Sequence, residues 1–291
     1  MTRVWIGVVA LTAVLAAGCS DRGPTAQSTS ASSSAPPPAS STSDANYSPG
    51  QHDVSFAVNG ATRTAVLVVP SDVSHPAPLV FAFHGHGGNG ANFDRKIDID
   101  GLWPDAIVIY PDGLPGHSGI TDPDGSQPGW QVAPGQEGDR DLAFYDTMLA
   151  TLRAKLPVDN DRIYVMGHSN GSAFTSLLLS QRGDAIAATA NISSQPGALL
   201  LAIDPVRSMF MSMGMTDPLV PFAQQVKSIP LVQQKLGIDP TSAAVDGYLT
   251  TAQGAGNIEL DTYVHPAGHE VPAEVPALIV KFFQRHTLSG G

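Results

Sequence analysis

The feature that most constrains this chain is a β-prone segment followed at once by a Gly-x-Ser-x-Gly motif and a helical segment. Residues 163–166 are apolar, residues 167–171 read Gly-His-Ser-Asn-Gly, and residues 173–181 contain neither Gly nor Pro. In a strand–turn–helix of this kind the serine sits at the apex of a strained turn, and the glycines prevent clashes with the neighbouring strand and helix. The helix N-terminus behind the serine favours developing negative charge. The motif therefore predicts that Ser169 is a nucleophile.

Strand and helix patterns alternate on both sides of this motif. Nearly continuous apolar strands alternating with helices predict an α/β fold with a mostly parallel central sheet covered by helices on both faces. Alternating residues around an Asn-Gly turn predict an antiparallel hairpin at the N-terminal edge, with strands at 52–58 and 63–69. The further predicted strands are 79–83, 106–110, 185–192, 207–213 and 258–265, and the further helical segments are 141–156, 221–236 and 275–286.

The first 49 residues have the composition of an export signal and a linker. Arg3 precedes an apolar run at 4–17, which has the length of a signal-peptide core. The ending Leu-Ala-Ala-Gly-Cys resembles a bacterial lipobox, so we expect lipidation of Cys19, with plain secretion and a free thiol as the alternative. The following Ser/Thr/Ala/Pro-rich segment is too poor in apolar residues to fold. We expect a signal peptide at 1–18, a lipidated disordered tether at 19–49 and one catalytic α/β domain at 50–291, in the cell envelope or secreted.

Charge and metal-binding patterns exclude several kinds of partner. The net charge is −11 and no Lys/Arg-rich run exists, which argues against nucleic acid and against anionic lipid surfaces. We therefore expect membrane association only through the lipid anchor. His84 and His86 could form a metal pair, but no third ligand stands at a suitable spacing, so neither a metal nor another cofactor is expected. The glycines that follow are not a phosphate loop, because no Gly-Lys-Ser/Thr follows them.

A serine nucleophile needs a base and a carboxylate that orients the base. On open α/β sheets these groups lie on loops after successive strands, in the chain order serine, acid, histidine. Asp217 follows the strand at 207–213 and His269 follows the strand at 258–265, which makes them the predicted acid and base. Less suitably placed alternatives are Asp204, Asp239 and Asp261 for the acid, and His265 and His286 for the base.

The negative oxygen formed by serine attack needs two preorganised N–H donors. One is the backbone N–H of Asn170, and the other should come from the Gly-rich loop after residues 79–83, at His86 or alternatively at Gly87. His84 is interpreted as a hydrogen-bonding residue that holds this loop.

A long Gly/Pro-rich segment, residues 112–138, separates a predicted strand from a predicted helix, and such loops are usually functional. Within this segment, Trp130 is either a core residue or an apolar wall for the substrate. Asp141, at the start of the helix, is interpreted as a first-turn acid that complements the helix dipole.

Six ordered motifs resemble those of the extracellular polyhydroxybutyrate depolymerase, feruloyl esterase and acetylxylan esterase group of α/β-hydrolases. The resemblance implies a secreted carboxylic-ester hydrolase without a metal, with Ser169, Asp217 and His269 as the triad. The chain departs from the group at Ser172, where a glycine is common, at Val271, where an aromatic residue is frequent, and in having no disulfide. The motifs are residues 84–88, 110–113, 141–144, 167–171, 214–221 and 268–272.

Together these features predict a surface-anchored or secreted serine esterase that acts through an acyl-enzyme on small or polymeric esters of the feruloyl, acetyl or hydroxyalkanoate type. Two other functions stay open at this level. One is a surface binding lipoprotein on a hydrolase scaffold that has lost catalysis, since a fold does not guarantee an activity. The other is a serine peptidase of the same fold.

Overall fold

A computed structural model describes residues 46–290, and along them strands and helices alternate as the sequence predicts. The predicted signal peptide, Cys19 and most of the predicted tether lie outside the described residues. The strands are β1 (Gly50–Val58), β2 (Ala61–Val69), β3 (Ala77–Phe83), β4 (Ile107–Pro111), β5 (Leu114–Pro115), β6 (Pro128–Gly129), β7 (Val158–His168), β8 (Ala188–Ile192), β9 (Ser208–Gly214), β10 (Ala244–Asp246), β11 (Leu249–Gln253) and β12 (Glu259–His265). The α-helices are α1 (Gly90–Ile97), α2 (Ile99–Leu102), α3 (Arg140–Lys155), α4 (Asn170–Arg182), α5 (Phe222–Leu236) and α6 (Val275–Phe283).

One ten-stranded sheet organises the described residues, with the strand order β1-β2-β4-β3-β7-β8-β9-β12-β11-β10. Neighbouring strands from β4 to β12 are parallel. The β1–β2 hairpin is antiparallel at one edge, and β11 and β10 add an antiparallel pair at the other. The predicted mostly parallel sheet with an N-terminal hairpin is confirmed, and the second antiparallel edge extends it.

Helices cover both faces of the sheet and bury two apolar clusters. Helices α3, α4 and α5 pack on one face, where Phe81, Phe83 and Phe174 are buried. Helices α1, α2 and α6 pack on the other face, around Tyr164 and Phe210. Every residue of β3, β4, β8 and β9 is buried, which explains why these strands read as continuous apolar runs.

The topology places the segments after β3, β7, β9 and β12 at the carboxyl edge of the parallel sheet, where open α/β sheets bind ligands. The segment between β4 and α3 contributes the short β5–β6 pair to the same region. No helix within residues 46–290 has the length and apolarity needed to cross a bilayer.

Candidate active site

The turn between β7 and α4 holds Ser169 in a strained conformation, with φ of 55° and ψ of −117°. Glycine is required beside it because the surrounding backbone leaves no room for a side chain. A Cβ on Gly171 would lie 2.3 Å from the carbonyl oxygen of Phe83, and a Cβ on Gly167 would lie 2.3 Å from the backbone of Gly171. Strand, turn and helix thus pack so closely that the serine is held at the apex of the turn.

Three side chains from distant parts of the sequence form one hydrogen-bonded chain. The Ser169 hydroxyl lies 2.8 Å from Nε2 of His269. Nδ1 of the same ring lies 2.8 Å from Oδ2 of Asp217. Ser169 follows β7, Asp217 follows β9 and His269 follows β12, so three strand ends of the parallel sheet bring the groups together. A ring that donates from Nδ1 to a carboxylate leaves Nε2 free to accept the serine proton.

Several donors keep Asp217 in place and ionised. Its Oδ1 accepts the backbone N–H groups of Leu219 and Val220, each at 2.9 Å, and its Oδ2 accepts Nε2 of Gln225 at 3.0 Å. Burial raises the pKa of this carboxyl, but the hydrogen bond to His269 and the two backbone N–H groups outweigh burial and lower the pKa overall. The acid can therefore orient His269 and balance its charge without taking up a proton.

The other carboxylates considered for the acid role have different partners. Oδ1 of Asp239 accepts the N–H of Thr241 at 2.8 Å, and Oδ2 of Asp261 pairs with Arg285 at 2.9 Å. Asp204 lies in the segment before β9, at the opposite end of that strand from Asp217.

The rival histidines are buried away from the serine. His265 is 2% exposed and stacks on Tyr263, and His286 is 3% exposed and contacts the carbonyl of Phe282 at 2.7 Å. Of the histidine rings considered from the sequence, only that of His269 contacts both a serine and a carboxylate.

Two backbone N–H groups beside Ser169 are free to stabilise a negative oxygen. Within residues 46–290 neither the N–H of Asn170 nor that of His86 forms a hydrogen bond. The alternative donor Gly87 does not fit this role, because its N–H already donates to the carbonyl of Pro128 at 2.7 Å. The side chain of His86 is held separately, with Nε2 3.0 Å from Oδ2 of Asp122.

Residues 128–130, called here the bracing segment, contact both of these donor positions. The carbonyl of Pro128 accepts the N–H of Gly87, next to His86. The backbone N–H of Trp130 donates to Oδ1 of Asn170 at 2.7 Å, and the backbone carbonyl of Trp130 accepts Nδ2 of Asn170 at 3.0 Å. A Cβ on Gly129 would lie 2.4 Å from Nδ1 of His86 and 3.0 Å from Oδ1 of Asn170, so only glycine fits between these two side chains. The bracing segment therefore determines the spacing between the two free N–H groups.

Of the two roles considered for Trp130, the structure supports the core position and not the cleft wall. Its side chain is 3% exposed and does not line the cleft beside Ser169. The indole packs against Phe83 and Phe174, with ring centroids 5.1 and 5.5 Å away, and Nε1 donates to the carbonyl of His84 at 2.9 Å. An indole whose N–H donates to a backbone carbonyl can be fully buried, so Trp130 is a core residue. His84 itself holds the loop, because its Nε2 accepts the N–H of Gly113 at 2.9 Å.

Asp141 lies in the first turn of α3, as interpreted from the sequence, and it also forms a buried ion pair. It is fully buried, and its Oδ1 lies 2.9 Å from Nη2 of Arg63, which is 2% exposed. Its Oδ2 accepts the N–H of Gln131 at 2.8 Å, while Oε1 of Gln131 accepts the N–H of Asp141 at 3.0 Å. This buried ion pair anchors the segment after Trp130 to β2 of the hairpin. A charged residue inside an otherwise β-prone run, as at Arg63, is the sequence feature that could have indicated it.

His168, between the strand and Ser169, is a titratable group of the site that the sequence analysis did not single out. Its ring centroid lies 5.0 Å from that of His269. Burial, followed by the charge of His269, lowers the pKa of His168 to about 3. The His168 ring is therefore neutral at neutral pH, and it adds no positive charge beside His269.

An open cleft of about 690 Å³ lies above these groups. Helix α1 and the loop at residues 117–121 form parts of its wall, and Leu219 and Val220 form another part. Ser169, His269, Asn170 and His86 all line it, so a bound molecule can reach the serine and the two free N–H groups together.

The sheet order and the turn at Ser169, with the acid and the histidine on later strand ends, define an α/β-hydrolase fold. Solved structures with this fold include the acetyl xylan esterase from Aspergillus awamori. It matches with a TM-score of 0.63 and 15% identity, over 81% of this chain and 99% of that one. The carboxylesterase of Bacillus cereus matches with a TM-score of 0.53 and 16% identity, over 77% of this chain and 94% of that one. A ferulic acid esterase matches with a TM-score of 0.55 and 12% identity, over 82% and 96%.

Sequence comparison adds one distant relative. A stretch of 140 residues, 46% of this chain, is 25% identical to the bifunctional acetylxylan esterase/xylanase XynS20E of Neocallimastix patriciarum. The match spans 18% of that protein's length. No protein-family model matches the chain. The resemblance stated from the sequence motifs is confirmed by these α/β-hydrolases, and at these identities the structures establish the fold.

Proposed function

We propose that this protein is a serine carboxylic-ester hydrolase. The observation that carries the proposal is the unbroken chain of hydrogen bonds from the Ser169 hydroxyl through His269 to Asp217, with 2.8 Å at each step. The names of its fold neighbours and of its sequence relative, which are esterases of acetyl, feruloyl and other carboxylic esters, support an ester as the substrate class.

In the proposed first half-reaction, Nε2 of His269 takes the Ser169 proton while the serine oxygen attacks the ester carbonyl. The carbonyl oxygen becomes negative and accepts the N–H groups of Asn170 and His86, which have no other partner within residues 46–290. The imidazolium is balanced by Asp217 and returns the proton to the departing alcohol. The products of this step are the free alcohol and an acyl group on Ser169.

In the second half-reaction, His269 accepts a proton from a water molecule that attacks the acyl-serine carbonyl. The same two N–H groups stabilise the second tetrahedral intermediate. Collapse of that intermediate breaks the bond to the Ser169 oxygen, which recovers its proton from His269. The acid is released and the starting state is restored.

A fluorophosphonate probe tests this proposal directly. We expect the probe to label Ser169, and we expect Ser169→Ala to lose labelling and to lower kcat by about 10⁴ or more. Ser180→Ala is the matched control, because Ser180 lies on the same helix and outside the cleft. Among the described residues its hydroxyl bonds only the carbonyl of Leu177 and the neighbouring Gln181 side chain. Full activity in a folded Ser169→Ala protein, or labelling at another serine, contradicts the proposal.

A panel of aryl, acetyl and hydroxybutyrate esters, with a short peptide amide beside them, identifies the preferred ester. Cleavage of the peptide alone would favour the peptidase alternative. Binding of these compounds without any turnover would favour the binding-protein alternative.

We further propose that the protein is exported and anchored through a lipid on Cys19, with residues 19–49 as the tether. The lipobox-like sequence and the Ser/Pro-rich composition support this proposal. Metabolic labelling with a fatty-acid analogue in a bacterial host should mark the wild-type protein, whereas Cys19→Ser should be unlabelled and released. Equal labelling of both proteins contradicts the anchor at Cys19.

A further inference from the structure

Helix α1 presents one stripe of side chains to the cleft. Asn89, Asn92, Phe93 and Lys96 all line it, and their spacing of three, four and seven residues places them on one face of the helix. The stripe begins at a well-defined helix end, because Oδ1 of Asn89 accepts the N–H of Asn92 at 2.9 Å. Lys96 stands at the other end of the stripe, so the helix positions its ammonium group along the cleft wall.

Lys96 is the only Lys, Arg, Asp or Glu among the described residues that line the cleft. No carboxylate of residues 46–290 forms an ion pair with it, although Asp94 and Asp98 are close in sequence and the whole chain has a net charge of −11. The neighbouring cation, Arg95, does not line the cleft and bonds Oδ1 of Asn92 instead. An unpaired cation in a cleft of an acidic protein attracts a negative group from the ligand.

The field of Lys96 extends to the turn that carries the nucleophile. After burial and the charge of His269, the charge of Lys96 is the next contribution that lowers the pKa of His168. His168 directly precedes Ser169, so a ligand carboxylate near Lys96 can belong to the same molecule whose ester carbonyl lies at Ser169.

We propose that Lys96 makes this protein selective for esters that carry a carboxylate, in either the acid part or the alcohol part, within reach of the lysine when the ester bond lies at Ser169. Such esters include hydroxy-acid dimers and oligomers, which end in a free carboxylate, and acylated sugar acids. This inference rests on the proposed esterase function and narrows its substrate class.

The test compares 3-acetoxybenzoate with 3-acetoxybenzamide, which match in size and differ in charge. Each kcat/KM value is divided by the rate constant for hydroxide-catalysed hydrolysis of the same ester, which corrects for their different intrinsic reactivity. In wild type we expect kcat/KM to favour the carboxylate by roughly fivefold at low salt, with a smaller preference at high salt. Lys96→Met should bring the ratio close to one, and Lys96→Glu should reverse it. Arg95→Met removes the same charge next to the stripe and should keep the wild-type preference.

A binding measurement separates this inference from the esterase proposal. In Ser169→Ala protein, which turns over no ester in the proposed mechanism, 3-acetoxybenzoate should bind more tightly than the amide, and adding Lys96→Met should remove the difference. If both esters are hydrolysed and their kcat/KM ratio is the same in wild type and in Lys96→Met, the inference about Lys96 is wrong and the esterase proposal stands. If the carboxylate ester binds more tightly in a way that depends on Lys96, but wild type hydrolyses neither ester, the esterase proposal is wrong and the inference about Lys96 stands. An equal loss of preference in Arg95→Met and Lys96→Met also overturns the inference, because net charge would then explain it.

Discussion

The Asp217 carboxylate is held by more groups than the imidazole that it orients. Two backbone N–H groups and the side chain of Gln225 donate to it in addition to His269. These donors account for its lowered pKa and leave little freedom for the side chain to rotate. Asp217 thus links the loop after β9 to the histidine contributed by the loop after β12.

Asp217→Asn is expected to lower kcat by about 10⁴ with a much smaller change in KM. An amide at this position can donate to Nδ1 of His269, which favours the tautomer that cannot accept the Ser169 proton. Steady-state kinetics on an activated acetyl ester measure the effect. Asp239→Asn is the control, since that exposed carboxylate only caps a short helical turn. A wild-type kcat in Asp217→Asn would transfer the acid role to another residue.

At the residue scale, topology decided which positions could be predicted from the sequence. Asp217 and His269 were predictable because each follows a recognisable buried strand, and strand ends of a parallel sheet converge. Trp130 was not, because an aromatic residue in a Gly/Pro-rich segment suits either a cleft wall or a core position. The ion pair of Asp141 depends on Arg63, and a charged residue inside a β-prone run does not show which distant group pairs with it.

At the scale of elements, the bracing segment at residues 128–130 joins the loop after β3 to the start of α4. Its contacts to Gly87 and to the Asn170 side chain set the separation of the two proposed oxyanion donors. Preorganised donors contribute to catalysis only when they are held where the charge develops. The Asn170 side chain therefore acts as a positioning group for its own backbone N–H.

Asn170→Ala is expected to lower kcat by roughly tenfold or more, because the backbone donor remains but loses its brace. KM should change little, and the rate of reaction with a fluorophosphonate, which also builds negative charge on an oxygen, should fall in parallel. Asn160→Ala, at an exposed position of β7, should match wild type in both assays. A fall in thermal stability with unchanged kcat would show that the side chain serves only the fold.

Elements with continuous apolar sequence were predictable, and small polar elements were not. Strands β3, β4 and β9 were evident because every residue in them is buried. Helix α1 has only Phe93 and Ile97 as large buried side chains, which is too little for a clear helical period. Strands β10 and β11 escape detection because most of their residues are at least partly exposed, so burial imposes little pattern on them.

For the molecule as a whole, buried histidines make stability depend on pH. Burial lowers the pKa of His84, His168, His265 and His286 in the folded protein. Below the ordinary histidine value of about 6.5 the unfolded chain binds protons that the folded chain excludes. The free energy of unfolding therefore falls as pH decreases below about 6.5, and for His168 the fall continues to about pH 3.

His168→Gln isolates one part of this effect. Between pH 6.5 and pH 5 the wild-type free energy of unfolding should fall by about 2 kcal/mol more than that of the variant, because only wild type carries this suppressed titration. Urea unfolding at the two pH values measures the difference within each protein, so an overall stability change in the variant does not affect it. Asn160→Gln, at an exposed position of β7, removes no titratable group and should keep the wild-type pH dependence. Equal slopes in wild type and His168→Gln would contradict the suppressed titration.

The ordering of the three groups along the polypeptide has a consequence for how this protein is made. Ser169 precedes His269 by 100 residues along the chain. In the proposed mechanism, a chain that has folded only through α4 holds the Ser169 hydroxyl without the base that removes its proton. We therefore expect Ser169 to become reactive only after β12 has joined the sheet and the loop after β12 has brought His269 to the serine.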